Sequence, residues 1–406
     1  MASLVGAALR VLGVRLSLQT PMGRSLKIEA RRLLILAASA VSMWATSCRH
    51  MDGATEAGGA APTFVWRSPE GHSHPLLGRI WDTSAQTFVT EAQLIDRLAG
   101  TPNVLLGEIH DNEDHHRLQA RVIRRRAQQT PGGSRRLVVE MLTLDQQPII
   151  DTVLQADPND ANALGRAVAW DQSGWPSWSM YRPVFQAALR SRFEIKAANL
   201  SRSDAMKISS HALDIDQDLA HRHGLNEPLP GPLEASLVRE LIEGHCNMLP
   251  QFMIPPMVQI QRLRDAIMAD AILGDAEEKA AVSGPSTSVL IAGLGHVRTD
   301  RGVPYYLRKA NASSMSIGFI EVEEGRTEPD HYAVSAPPIP STASNDEDET
   351  TTRDAQGVND VGTKQRAPFD FLWFTARRQD RDHCAELRER FKKPGLPPPP
   401  LEPPTP

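Results

Sequence analysis

The sequence predicts an α/β protein: a mostly parallel central sheet flanked by helices, with a helical subdomain inserted. Three observations predict it. Short apolar runs stand between turn signals at Val104–Gly107, Leu137–Val139, Phe193–Ala198 and Val289–Gly295. Runs of that length suit strands buried on both faces. Segments of helical spacing separate them, as in βαβ units. Each run also stops at a reactive polar group: Glu108 with His110, then Glu140, Asn199 and His296. In open parallel sheets ligands bind beyond the carboxyl ends of the strands. The four ends therefore predict one polar site, built from residues spread between positions 108 and 296.

Residues 1–48 read as a lipoprotein signal region. Arg24, Lys27, Arg31 and Arg32 precede an apolar stretch from Leu33 to Ala45, of signal-peptide length and short for a membrane span. Met22 makes a better start than Met1, because residues 1–21 add a second apolar stretch that no export signal needs. Ala45-Thr46-Ser47-Cys48 resembles a bacterial lipobox, which places a lipid anchor on Cys48. Residue 49 is Arg rather than the Asp of an inner-membrane retention signal, so the expected address is the outer membrane. Residues 49–63, rich in Gly and Ala, form a tether.

The folded domain is expected over 64–392. A short hairpin, Ile80–Asp82 with Thr87–Val89, precedes a helix capped by Thr90 and running through Leu98. The first central strand is 103–107. A helix over 113–128 ends in Arg124-Arg125-Arg126, cations suited to a helix carboxyl terminus. Gln146–Arg192 is helical, broken by the tryptophan-rich loop 171–178. A strand over 193–198 precedes the helical subdomain, about 203–280, whose best helix is Pro256–Leu273. Strands come next at 287–292, 315–322 and 369–374, then a charged helix from Cys384 to Phe391. Residues 336–367, rich in Pro, then acidic, then rich in Thr and Gly, read as a disordered insertion. Residues 393–406 read as a Pro-rich tail.

The chain has 406 residues, a net charge of −5 and 41% hydrophobic residues, enough for one large or two modest domains. Composition gives no case for nucleic acid. Cys48, Cys246 and Cys384 have no zinc or redox spacing.

Glu108 and His110, two apart in an extended segment, point to the same side. A carboxylate and an imidazole at that spacing can bind a metal or share a proton. Glu140 and His296 supply a second pair, and Gly293, Gly295 and Gly302 let backbone approach a ligand. These four side chains are the candidate ligands of a divalent metal ion, and the catalytic set if the protein is a hydrolase.

Eight ordered blocks carry a family resemblance: LLGEIHDNEDHHRLQ, VVEML, WPSWSMYRP, AANLSR, EGHCNMLPQFM, QRLRDAIMA, GLGHVRTDRGVPYYL and FDFLWFTARRQDRDHC. Together they resemble the ChaN-type haem-binding uptake lipoproteins of the Tiki superfamily, over roughly residues 78–390. The resemblance implies an α/β sheet domain with a helical subdomain, an outer-membrane lipoprotein role in haem or iron uptake, haem as cofactor and a homodimer. Wider superfamily members include metal-dependent proteases and erythromycin-esterase-like hydrolases, so the alternative is a metal-dependent hydrolase using Glu108, His110, Glu140 and His296.

Haem needs an apolar slot, an axial ligand and cations for its propionates. The axial candidates are Tyr181, which lies in a family block, with His110, His245 and His296. The cations are Arg182, Arg202 and Arg298. Met248, Met253 and Met257 beside His245 read either as a slot lining or as a core stripe. The family blocks and the oxidising compartment also point to a disulfide between Cys246 and Cys384.

Overall fold

The computed structural model describes residues 64–210, 214–274, 286–332, 367–379 and 383–392. The signal region with Cys48, the tether, nearly all of the 336–367 insertion and the 393–406 tail lie outside the described residues. The chain divides into Met1–Phe64 and Val65–Pro406, and all the described strands and helices belong to the second unit.

Its elements run in this order. Strands β1 (Ile80–Asp82) and β2 (Thr87–Val89) form the hairpin. Helix α1 (Glu91–Ala99) starts in a reciprocal capping box between Thr90 and Gln93. Strand β3 (Asn103–Glu108) is buried along its whole length, as an unbroken apolar run requires. Helix α2 (Glu113–Gln129) is capped by the Asn112 side chain. Strand β4 (Ser134–Thr143) comes next, then α3 (Gln147–Ala156), α4 (Ala161–Ala167) and α5 (Trp178–Arg190). Strand β5 (Glu194–Asn199) leads into four helices: α6 (Arg202–Ser209), α7 (Gln217–His223), α8 (Gly231–Gly244) and α9 (Ile254–Leu273). Strand β6 (Ser286–Gly293), α10 (Val303–Lys309), β7 (Ser314–Glu321), β8 (Phe371–Thr375) and α11 (His383–Lys392) complete the chain.

One sheet has the order β2-β1-β8-β7-β3-β6-β4-β5. The six strands from β8 to β5 pair in parallel. The hairpin adds an antiparallel edge through the pairing of β1 with β8. The fold is thus a mixed, mostly parallel α/β fold. A core on the sheet gathers Leu105, Val138, Leu290, Ala266 and Tyr306, and a smaller one joins α8 and α9 through Leu233, Leu237, Leu241 and Met257. Met257 is therefore a core residue, with Met253 and Leu249 packed against its cluster.

Two local features position the site. Strand β4 does not stop at Glu140. It pairs with β6 only as far as Val139 opposite Ile291, and its register against β5 shifts between Val139 and Thr143. This irregularity falls where Glu140 leaves the ladder, and irregular pairing is a common way to re-aim a side chain. Beyond β6, a short 3-10 turn over Leu294–Val297 brings His296 back under the sheet end, where it is fully buried. The turn packs so closely on β3 that a methyl on Gly107 would overlap Val297.

The disulfide is present. It joins Cys246, just past α8, to Cys384 in the first turn of α11, 138 residues later, with the Cα atoms 5.5 Å apart. That separation lies in the ordinary range for the bond.

Candidate functional site

Glu108 ends β3 with both oxygens occupied. One accepts the Tyr181 hydroxyl and faces Nδ1 of His110 at 2.9 Å. The other accepts from Nε2 of Gln119 at 2.6 Å and faces Nε2 of His116 at 3.4 Å. His116 and Gln119 come from successive turns of α2, and the His116 ring lies 3.9 Å from that of Tyr181. Burial alone would raise the Glu108 carboxyl. The charge on His116, with hydrogen bonds from His110 and His116, instead holds it well below the usual carboxylate range.

A second cluster surrounds His296. Its Nε2 faces Glu140 at 3.2 Å and its Nδ1 faces Asp265 at 2.6 Å. Gln261, one turn before Asp265 on α9, places its amide 3.3 Å from the ring nitrogens. Burial would favour a neutral ring. Glu140 and Asp265, one on each side, override it and push His296 up to about 10, so the ring is an imidazolium at neutral pH. Glu140 is pulled down to about 2: burial would raise it, but the His296 charge dominates, helped by the Gly293 N–H at 2.7 Å. Burial lifts Asp265 to about 6 in spite of the same imidazolium.

The two clusters meet at Gly293. A methyl built there would stand 3.0 Å from Nε2 of His110 and 3.7 Å from Oε2 of Glu140. A side chain there would press on the His110 ring where the imidazole of one cluster lies beside the carboxylate of the other. The structure thus brings Glu108, His110, Glu140 and His296 into one buried assembly, and Tyr181 with them. Within it each carboxylate is matched by imidazole or amide donors, so a cation bound to Glu108 would have to displace one of them. Among the described residues no group of three or more His, Cys, Asp or Glu side chains has metal-site geometry.

The remaining candidates lie elsewhere or are otherwise engaged. Arg298 is buried and holds Asp300 through two bonds, at 3.0 and 2.6 Å. Arg182 and Arg202 are exposed. His245 is half-buried at the end of α8, with Nδ1 2.6 Å from the Leu241 carbonyl. Tyr181 is 0% exposed and its phenol is held by Glu108, so it has no open face in this conformation.

Sequence reasoning missed Asp265, Gln261, Gln119 and Trp175. Asp265 and Gln261 sit four apart on one helix, among Gln259, Arg262 and Arg264, so the pair does not stand out in the sequence. Trp175, half-buried, packs edge-to-face with His110, the ring centroids 4.9 Å apart.

A family model for haem-binding uptake proteins, Tiki superfamily, ChaN, matches residues 94–307, more than half of the chain. The chain belongs to this family. Among solved structures it resembles one described as cofacial heme binding to ChaN of Campylobacter jejuni. That pair shares 22% identity over 62% of this chain and 93% of the other, with a TM-score of 0.50. More distant likenesses include the type III effector HopBA1, at 12% identity over 78% and 99% of the two chains and a TM-score of 0.35. An erythromycin esterase in its open conformation matches at 12% identity over 64% and 77%, with a TM-score of 0.32. At 22% identity the likeness to the Campylobacter jejuni structure establishes the fold alone, and the other two establish nothing further. No curated protein matches the chain.

Proposed function

We propose that this chain binds haem as an outer-membrane lipoprotein of haem or iron uptake, anchored through Cys48 and working as a homodimer. Membership of the haem-binding family carries the proposal, and the Campylobacter jejuni structure, described as a cofacial heme complex, supports it. The lipobox-like stretch before Cys48 supports the anchor.

The chemistry of the donors fits haem at two places. His245 donates its Nδ1 proton to the Leu241 carbonyl, which leaves Nε2 carrying the lone pair that a ferric iron takes. The turn after it holds Phe252, an exposed aromatic ring suited to cover a macrocycle. His110 is the site imidazole closest to solvent, with Tyr181 and Glu108 behind it. At that place the His110 imidazole and the Tyr181 phenol, which donates a hydrogen bond to Glu108, would be the groups that hold the iron. Arg182 and Arg202 are the exposed cations for propionates. Haem, once bound, supplies ferric iron; the chain supplies ligand, charge and cover.

Titration of the purified protein with ferric haem tests this reading. A saturable Soret shift is expected, and a featureless titration would refute it.

The second reading, a hydrolase, is favoured by one observation. Glu140 at about 2 and Asp265 at about 6 flank one imidazolium, so carboxylates of opposite tendency share a buried site. Such a pair divides the roles of proton donor and proton acceptor between its members. Ester or peptide hydrolysis that Asp265→Asn abolishes in a protein that still folds would establish it, and the absence of any such hydrolysis would refute it.

A further inference from the structure

The buried site is walled on nearly all sides. Glu140, His116, His296 and Tyr181 are 0% exposed and Glu108 is 1% exposed, while His110 reaches 7%. Among the described residues a ligand would therefore come in past His110, and Trp175 is a ring that stands against that histidine.

The segment carrying Trp175 is fixed at both ends and loose between them. Trp170, at one end, is buried against Trp178, Tyr181 and Phe185. Trp178, at the other, stacks on Phe185 and packs so tightly on Gly165 that a methyl there would overlap it. Between them Asp171–Gly174 are exposed, and Gly174 has φ +92, a conformation that costs a glycine little. Ser173 is tied to the Trp170 carbonyl through its N–H at 3.0 Å and its Oγ at 2.7 Å. Two further hydrogen bonds hold Trp175 and Pro176 in the closed position: Trp170 Nε1 to the Pro176 carbonyl at 2.9 Å, and Trp175 N–H to Ser173 Oγ at 3.2 Å. Breaking them frees the middle of the segment and leaves its anchors in place. Exposed segments with few buried contacts are the parts of a fold that open at lowest cost.

We propose that Trp175 is the gate of this site, carried by residues 171–177, which swing out to admit a flat aromatic ligand to His110 and Tyr181. The gate rests on the haem reading only for the identity of that ligand. It accounts for a site whose polar groups are assembled yet covered, and it makes Trp175 the first ring an entering macrocycle meets.

The test needs no haem. Diethyl pyrocarbonate modifies exposed imidazoles, and mass spectrometry reads each histidine separately. In the full chain, Trp175→Ala is expected to raise the modification rate of His110 several-fold relative to His221, which is exposed. Trp175→Phe, which keeps a ring in place, should stay close to the original rate. His116, deep in the site, should stay protected in all three proteins. An unchanged His110 rate in Trp175→Ala would overturn the gate. So would a parallel rise at His116, because Trp175 would then be packing that holds the whole site together. A fast His110 in Trp175→Ala, in a protein that fails to bind haem, would uphold the gate and strike down the haem reading alone.

Discussion

The two halves of the buried site use the same residue types and are built differently. Around Glu140, the imidazolium of His296 lies between two carboxylates, under helix α9 and the end of β6. Around Glu108, one carboxylate collects two imidazoles, an amide and a phenol, and its outermost member touches a half-buried tryptophan. The first half is closed on itself and holds the sheet end together. The second has a side toward solvent and groups that can change partners. A motif of carboxylate and histidine therefore does not fix its own role; the wall behind it does.

The largest effect is expected at His296. Replacing it with Ala leaves Glu140 and Asp265 buried side by side without their cation. A buried charge stripped of its partner costs about 3–5 kcal/mol, so His296→Ala should lower unfolding free energy by about that much in a urea titration. A loss below about 1 kcal/mol would show that this half is not the structural one.

Tyr181→Phe probes the other half more gently. It removes one hydrogen bond to an ionised group, worth about 1.5–3 kcal/mol, and keeps the ring against His116 and Trp170. Thermal and urea unfolding should show a loss in that range and a protein that still folds.

A further effect is one of pH, and it belongs to the closed half. The His296 pKa is raised from 6.5 to about 10, so its stabilisation is complete below pH 6.5 and disappears as pH rises through about 10. Glu140 is lowered from 4.5 to about 2, so its share is present above pH 4.5 and is lost as pH falls through about 2. Asp265 acts against folding as it ionises, since its pKa rises from 3.8 to about 6. Unfolding free energy measured between pH 7 and 10 should fall in the original protein and stay flatter in His296→Ala.

Much of the fold is legible in the sequence because its signals are local. β3 and β6 are apolar runs that end in glycine-bounded turns, and α1 carries a capping box in its own first turn. The order of strands is not legible. β8 lies between β1 and β7, and nothing near Phe371 records a partner almost 300 positions earlier in the chain. At the site, the residues at strand ends show themselves in the way apolar runs stop. Glu140 is the partial exception. Its apolar run ends at Val139 while β4 continues to Thr143, and the irregular pairing that turns Glu140 inward leaves no mark in composition. Asp265 and Gln261 are hidden because helix α9 is buried on most sides, so polar residues on it do not stand out as a face. Trp175 is visible as part of a tryptophan-rich loop, but what it covers depends on a contact across the fold.

If the half of the site under Trp175 meets the ligand and the half around His296 supports it, ferric haem should tell the two apart. The decisive measurement is a haem titration of the original protein beside His110→Ala and Gln261→Ala, followed at the Soret band. His110→Ala should weaken binding or alter the spectrum, and Gln261→Ala, which trims only the closed half, should leave both unchanged. Equal binding in His110→Ala, with the loss confined to Gln261→Ala, would contradict this division of roles.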